Sequence, residues 1–249
     1  KNFPKAIIYF KMLQSLDCFN PGKYFVLNYK MANMYISLNK NDTALFILQN
    51  YVQDCIRNND SASLIGAYNQ HGLISSALGN HKSAIKSYEK AIQVIDNIDD
   101  RKNLRPALLG NIGHNYRIIG DIKKAKNYLT LDSEGSLKHG VFMAYLNSEI
   151  ELAEIDYYLK NYTLSIQRIE TLLNKFEDKI ILDAKKKSYL MLSNAYFKNS
   201  ETAKSLAYLK QYNLARNSMT SDQKNKYQSL INEYSNIIYT KVIEDHNQK

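Results

Sequence analysis

The chain has 249 residues, of which 45% are hydrophobic, and a formal net charge of +9. The hydrophobic share suffices for a continuous core, while three prolines and nine glycines are too few for an all-β chain with its many tight turns. No basic run is interleaved with aromatic residues as single-strand nucleic-acid binding requires, so we expect a solvated lysine-rich surface and no direct nucleic-acid binding.

Cysteine usage and apolar runs bear on the compartment. Cys18 and Cys55 do not make a disulfide framework; they fit free thiols in a reducing compartment, or are incidental elsewhere. The apolar runs fall far short of the roughly 20 residues that span a bilayer, so no membrane span is expected. The chain opens at Lys1 without a methionine, as a segment of a longer protein would. The cytoplasm and the periplasm both stay open.

The first predicted element is a helix over residues 3–17. Pro4 lies in its first turn, where proline's missing N–H costs nothing. Ala6, Phe10 and Leu13 have the spacing of apolar residues in second helices further along the chain. This helix is therefore predicted to be the second helix of a partial repeat.

Five helical hairpins are predicted over residues 24–218, because one size pattern returns at gaps of 40, 41, 40 and 40 residues. The first helix of each hairpin has a small residue at a fixed step: Ala32, Gly72, Gly113, Ala153 and Ser193. The second helix has another, at Ala44, Ala84, Ala125, Ser165 and Ser205, and four residues later an apolar one, at Leu48, Tyr88, Leu129, Ile169 and Leu209. A larger side chain would hold the crossing helices apart. No hairpin buries its apolar stripe alone, so the copies are expected to stack.

Two further segments complete the predicted organisation. The sequences Asp99-Asp100-Arg101-Lys102 and Asp132-Ser133-Glu134-Gly135 are predicted to be corners between hairpins. A last helix over residues 222–245 is predicted to cover the open end of the stack, since terminal units need a different outer face.

The two central hairpins resemble the tetratricopeptide repeat. The residues that carry the resemblance are Ala67, Tyr68, Gly72, Gly79, Asn80, Ala84, Tyr88 and Ala91, and then Leu109, Ile112, Gly113, Tyr116, Gly120, Asp121 and Ala125. The period of about 40 exceeds the family's usual ~34, which longer helices would explain. The resemblance implies an all-α, right-handed superhelical solenoid of about five hairpins, with a leading and a C-terminal capping helix, forming one domain over residues 1–249.

The end of the array is also similar to a group of bacterial sensor proteins. Residues 208–212 and 231–234 resemble the last repeat and the following helix of that group, in which such arrays precede a histidine kinase or a helix-turn-helix output domain. The resemblance implies a peptide or protein ligand, and a DNA-binding or kinase output domain outside this segment.

A binding groove is the main functional implication of the resemblance. First helices line the concave face of such arrays, and the predicted partner-binding residues there are Asn33, Asn69, Gln70, Asn111, His114, Arg117, Glu151, Glu154, Tyr157 and Asn194, with Leu73 and Tyr158 beside them. Asparagine amides both donate and accept hydrogen bonds, so a row of them can hold an extended peptide backbone. The alternative is that these asparagines are simply solvated.

The acidic run Glu149, Glu151, Glu154 and Asp156 is the sharpest local feature. Glu151 and Glu154 lie three residues apart on one helix face, so they could meet a basic group of a partner. The alternative is an exposed acidic helix surface. The family's carboxylate-clamp subtype uses lysines and asparagines on first helices; Asn33 and Asn69 could fill such positions, but matching lysines are missing.

No catalytic motif is present in the sequence. It has no phosphate-binding loop, no metal-binding helix with paired histidines and no nucleophile elbow. His71 takes the place of Met31 and Ile112 in the repeat, so it is predicted to face a hairpin core. We expect no catalytic residue, cofactor or metal. The leading hypothesis is a non-enzymatic peptide-binding module, the sensory or regulatory part of a bacterial signalling protein; the alternative is an assembly scaffold that mediates oligomerisation.

Overall fold

A computed structural model describes residues 21–98 and 102–217. This part of the chain is all-α, and its ten α-helices are α1 (Pro21–Ser37), α2 (Asn41–Arg57), α3 (Ser61–Ala77), α4 (His81–Ile98), α5 (Arg105–Ile118), α6 (Ile122–His139), α7 (Phe142–Tyr158), α8 (Tyr162–Phe176), α9 (Leu182–Lys198) and α10 (Thr202–Asn217). Short 3₁₀ turns at Lys102–Leu104 and Glu177–Lys179 precede α5 and α9. The predicted leading helix over residues 3–17 and capping helix over residues 222–245 lie outside the described residues.

Consecutive helices pair as five hairpins, which confirms the predicted all-α fold of tetratricopeptide-like hairpins. The two helices of a hairpin pack together. Within the units, α2 also packs on α3, α4 on α5 and α8 on α9, each a second helix on the first helix of the following hairpin. The chain divides into two compact units, one ending at Tyr145 and the other starting at Leu146, so the boundary falls within α7.

The small residues lie where the helices of each hairpin cross, as predicted. Ala32, Ala44, Ala84, Ala125, Ala153, Ser165 and Ser205 are fully buried, at 0% exposure. A Cβ atom at Gly72 would lie 2.5 Å from the ring of Tyr88, and one at Gly113 would lie 2.8 Å from Cγ of Leu129. The apolar residue of the second helix therefore fills the space that the first helix leaves by lacking a side chain.

Serine replaces alanine or glycine at these crossings in the last two hairpins. The Ser165 hydroxyl donates to the carbonyl of Ala153 at 2.8 Å. The hydroxyls of Ser193 and Ser205 each donate to the other residue's carbonyl, at 3.0 and 2.8 Å. Each buried hydroxyl thereby finds an acceptor across the crossing, and the buried serines cost little.

The turn between the two helices has the same geometry in all five hairpins. One residue adopts a left-handed conformation with φ between 58° and 85°: Asn39, Gly79, Gly120, Lys160 and Ser200. The residue after it donates its N–H to a carbonyl five residues back, for example Asp121 to Tyr116 at 3.0 Å and Asn161 to Asp156 at 2.8 Å. This is the Schellman ending of a helix, and it satisfies carbonyls that the helix end leaves open.

The predicted corner at residues 132–135 is wrong, because these residues lie inside α6, which continues to His139. The Ser136 hydroxyl donates to the buried Asp132 carboxylate at 2.5 Å, one helical turn away. A Cβ atom at Gly135 would lie 2.7 Å from Cγ of Pro106, so this glycine serves close packing. The helix ends instead at Gly140, whose φ of 70° makes the left-handed cap.

Candidate functional site

A cleft of about 250 Å³ lies between α7 and α9, the first helices of two consecutive hairpins. Its walls are Glu154, Tyr157 and Tyr158 from α7, and Lys187, Leu190, Met191 and Asn194 from α9. All seven residues belong to the unit that starts at Leu146. The structure thus brings the predicted Glu154, Tyr157 and Asn194 together at one site.

Helical periodicity explains why these side chains meet. Lys187, Leu190, Met191 and Asn194 follow the i, i+3, i+4, i+7 spacing of one helix face. Glu154, Tyr157 and Tyr158 have the same i, i+3, i+4 spacing on α7. Ala153 and Ser193 are buried at the hairpin crossings. The cleft residues therefore lie on other faces of the same two helices.

An ion pair lies in the cleft. The Lys187 ammonium is 2.7 Å from Oε1 of Glu154, with side chains 49% and 19% exposed, respectively. The Glu154 carboxylate, which could meet a basic group of a partner, therefore already pairs with a lysine of the next hairpin in this chain.

Aromatic rings form the α7 wall and continue to the hairpin turn. The Tyr157 ring packs edge-on against Tyr158, with centroids 5.8 Å apart, and lies 5.4 Å from the ring of Tyr162. Tyr158 is 76% exposed. The cleft therefore opens onto an exposed ring that a partner could cover without disturbing the core.

The rest of the acidic run does not form an exposed acidic surface, so that interpretation is wrong for Glu149 and Asp156. Arg168 on α8 donates to Oε2 of Glu149 and to Oδ2 of Asp156, both at 2.9 Å. The Asp156 carboxylate is 0% exposed. These two acids hold the α7–α8 hairpin together, because a buried carboxylate needs such a partner. Glu151 is half-buried on the same helix.

Tyrosines replace this ion-paired cluster in the next hairpin. Tyr189, Tyr196 and Tyr208 stand 40 residues after Glu149, Asp156 and Arg168. Tyr208 stacks between the other two rings, at centroid distances of 6.3 and 5.6 Å. The hydroxyls of Tyr196 and Tyr208 both donate to Oε1 of Glu170, at 2.5 and 3.1 Å, and burial, aided by this carboxylate, raises the pKa of Tyr208 to about 12. The helices of a hairpin can therefore pair at these repeat positions either through ion-paired side chains or through stacked tyrosines.

The other predicted groove residues lie on the first helices of the unit that ends at Tyr145. Asn33 is on α1, Asn69 and Gln70 are on α3, and Asn111, His114 and Arg117 are on α5; all are half-buried. Because α3 contacts both α1 and α5, these residues lie on neighbouring first helices of three consecutive hairpins. The side-chain oxygens of Asn69 and Gln70 are buried without a hydrogen-bond partner. Their role in partner binding stays a prediction.

His71 faces a hairpin core, as predicted. Its Nδ1 atom is 2.8 Å from the hydroxyl oxygen of Ser87, which itself donates to the carbonyl of Ser83 at 2.9 Å. The hydroxyl oxygen of Ser75 lies 3.4 Å from the same nitrogen, so two serines surround this side of the imidazole ring. Burial, with a smaller contribution from the nearby Lys90 charge, lowers the pKa of His71.

Over residues 21–98 and 102–217, no cluster of three or more His, Cys, Asp or Glu side chains is arranged to hold a metal ion. No helix in the same ranges is long and apolar enough to cross a bilayer.

Sequence reasoning missed Lys187, Leu190 and Met191. The predicted groove positions include Asn194 but not the side chains one and two turns before it on the same helix. The signal was present as the i, i+3, i+4, i+7 stripe that ends at Asn194.

A comparison with known protein families identifies a helical-hairpin repeat in this chain. The family model of the tetratricopeptide repeat matches residues 65–97, which fall within the α3–α4 hairpin. That repeat is a protein-binding unit and typically non-catalytic. No curated protein matches the sequence.

Solved structures with the same fold have low sequence identity to this chain. BtubC (BKLC) from P. vanneervenii has a TM-score of 0.77 at 13% identity, covering 88% of this chain and 90% of that one. A signal transduction ATPase with numerous domains (STAND) from Pyrococcus horikoshii, with a tetratricopeptide repeat sensor, has a TM-score of 0.64 at 18% identity, covering 98% of this chain and 41% of that one. YrrB, a tetratricopeptide repeat protein with an unusual peptide-binding site, has a TM-score of 0.51 at 16% identity, covering 88% and 94%.

Proposed function

We propose that this chain is a binding module that holds an extended segment of a partner protein in the cleft between α7 and α9. The observation that carries the proposal is the convergence of Glu154, Tyr157 and Asn194 with the apolar Leu190 and Met191 on two neighbouring first helices. Apolar walls with a few polar groups are typical of ligand sites.

The size of the cleft favours a peptide over a free small molecule. Its volume of about 250 Å³ is below the ~300–1,000 Å³ of sites that enclose a drug-sized ligand. A cleft of this size accommodates one or two side chains, while the rest of an extended segment runs along the helices. The half-buried Asn33, Asn69 and Asn111 on α1, α3 and α5 offer further amides for such a segment within their own unit.

We propose further that the module is the sensory or regulatory part of a longer signalling protein, with a kinase or DNA-binding output domain elsewhere. The fold similarity to a STAND protein with a tetratricopeptide repeat sensor supports this role, as does the fact that the alignment spans only 41% of that protein. Determining the flanking sequence tests this role: an output domain in the same chain is expected, and a full-length protein without one would contradict it.

Selection from a phage-displayed library of random peptides tests the binding function. Peptides selected on the wild-type chain should lose affinity about tenfold when Tyr158 is changed to alanine, because that ring covers the bound segment. The matched control is Phe46→Ala on α2, which removes an exposed ring, at 61%, from the unit that does not contain the cleft. Equal affinities for the Tyr158→Ala variant and the wild type would contradict the proposal.

The alternative function is an assembly scaffold that mediates oligomerisation. Exposed apolar residues such as Leu137 and Leu214 would support self-association only if they lay at a contact between copies. Size-exclusion chromatography with light scattering distinguishes the two: a concentration-independent monomer supports the binding module, and concentration-dependent oligomers support the scaffold.

A further inference from the structure

We infer that the cleft between α7 and α9 selects an uncharged partner segment, with an aromatic or aliphatic side chain between the tyrosines and Leu190–Met191, and selects against a carboxylate at that point. The inference rests on the proposed binding function and specifies the chemistry of the ligand. Three observations carry it: the charge of the cleft, the nature of its walls and its small volume.

The charge of the cleft is already balanced. The Lys187 ammonium contacts the Glu154 carboxylate at 2.7 Å, so the two charges in the cleft walls cancel. A carboxylate that entered would lose its water, compete with Glu154 for the same ammonium and lie close to a like charge. A lysine or arginine side chain would meet the same difficulty with Lys187.

The remaining walls suit an apolar side chain. Tyr157 and Tyr158 present rings from α7, and Leu190 and Met191 present aliphatic and thioether groups from α9. Methionine adapts its shape and makes favourable contacts with aromatic rings, so an aromatic or a branched aliphatic side chain can fill the cleft. Asn194 adds an amide that can both donate to and accept from the main chain of the bound segment.

The pairing of Lys187 with Glu154 decides whether the cleft prefers an uncharged or a charged side chain of the partner. Without Glu154 the ammonium of Lys187 would have lost its partner in the cleft and would favour a carboxylate, either a side chain or a free C-terminus. Without Lys187 the carboxylate of Glu154 would favour a cation. The preference of the cleft should therefore change in opposite directions when either partner of the pair is neutralised.

The test uses the full chain and one peptide selected from the phage-displayed random library. The peptide is synthesised with a fluorescent label, with a free or an amidated C-terminus, and with the anchor residue changed to glutamate or to lysine. Fluorescence anisotropy gives the affinities of the wild type, Glu154→Gln and Lys187→Met. Circular dichroism melts confirm that both variants fold.

In the wild type we expect equal affinity within about twofold for the free-acid and amidated peptides, and a loss of about tenfold or more when the anchor becomes glutamate or lysine. Glu154→Gln should recover most of the affinity for the glutamate-anchored peptide, and Lys187→Met most of that for the lysine-anchored one. In each variant the affinity for a charged peptide is compared with the affinity for the neutral peptide, so that an effect of the substitution on binding in general cancels.

Three outcomes would overturn the inference. A wild type that prefers the glutamate-anchored or free-acid peptide would show that Lys187 acts as an open anion site. A preference that stays the same in Glu154→Gln and Lys187→Met would show that the ion pair does not set selectivity. Failure to select any peptide sensitive to Tyr158→Ala would remove the proposed function itself and this inference with it.

Discussion

At the scale of single residues, the fold depends on pairs in which a missing side chain makes room for a large one. Gly72 faces Tyr88 in the α3–α4 hairpin, and Ala32 and Leu48 stand at the same repeat positions in the first hairpin. Gly72→Ala should therefore destabilise the protein by about 1–3 kcal/mol, because the added methyl would overlap the buried tyrosine ring. Urea unfolding measures this loss.

The double variant Gly72→Ala with Tyr88→Leu is the matched control for that prediction. It reproduces the alanine–leucine pair of the first hairpin, so it should be more stable than the sum of the two single variants implies. Additive losses would mean that the two residues do not share one packing site.

His71 gives a residue-scale prediction about pH. Its pKa in the folded protein is lowered by burial, so the unfolded chain binds the proton more readily below the ordinary value of ~6.5. Stability is therefore fully present above pH ~6.5 and falls as the pH drops below it, by at most about 1.4 kcal/mol per pH unit. Urea unfolding of the wild type and His71→Gln at a series of pH values measures the slope.

The exposed His139 on α6 provides the control, because His139→Gln makes the same substitution at a histidine outside the hairpin core. Because carboxylates also titrate at lower pH, the comparison is confined to the range between pH ~5.5 and ~7.5. Equal slopes for the wild type and His71→Gln would contradict the role given to His71.

At the scale of elements, the α7–α8 hairpin depends on a charged cluster at a position where its neighbours use tyrosine. Arg168→Met should cost about 3–5 kcal/mol, because it leaves the fully buried Asp156 carboxylate without its guanidinium. The triple variant Glu149→Leu, Asp156→Tyr and Arg168→Tyr should instead be at least as stable as the wild type, within about 1 kcal/mol.

The triple variant copies Leu109, Tyr116 and Tyr128 of the α5–α6 hairpin, where the two tyrosine rings stack at 5.5 Å. Chemical denaturation of the single and triple variants provides the measurement. A triple variant as unstable as Arg168→Met would show that the repeat positions are not interchangeable.

Much of this architecture could be predicted from the sequence because the helix crossings impose strict size limits. A small residue at each of ten positions, with gaps of 40 or 41 residues, leaves little freedom for another pairing. The positions of the turns were harder to predict from the sequence. Gly79 and Gly120 are typical of left-handed helix caps, but Lys160 and Ser200 adopt the same conformation although neither is a glycine.

The sequence predicts only part of the candidate site, because the pairing of its side chains depends on contacts between helices. An acidic run such as residues 149–156 does not reveal which carboxylate is paired, since Arg168 and Lys187 come from other helices. Likewise, the glycine in residues 132–135 suggested a corner, although it serves close packing against Pro106 inside α6. Contacts between helices that are distant in sequence decide both cases.

At the scale of the whole molecule, the predicted binding residues fall in both compact units, and the cleft lies entirely in the second. We therefore propose the α7–α9 cleft as the primary site, and the asparagine-bearing helices α1, α3 and α5 as a further contact surface within their own unit. The tetratricopeptide repeat, which matches residues 65–97, is a protein-binding unit.

The most direct test of this account is site-specific photo-crosslinking to the selected fluorescent peptide. Benzoylphenylalanine replaces Tyr158 in one variant and Phe46 in another, both exposed aromatic positions. We predict peptide crosslinks from position 158 that an excess of unlabelled peptide abolishes, and none above background from position 46. Crosslinks from position 46 as strong as those from 158, or none from 158 while the peptide is bound, would contradict it.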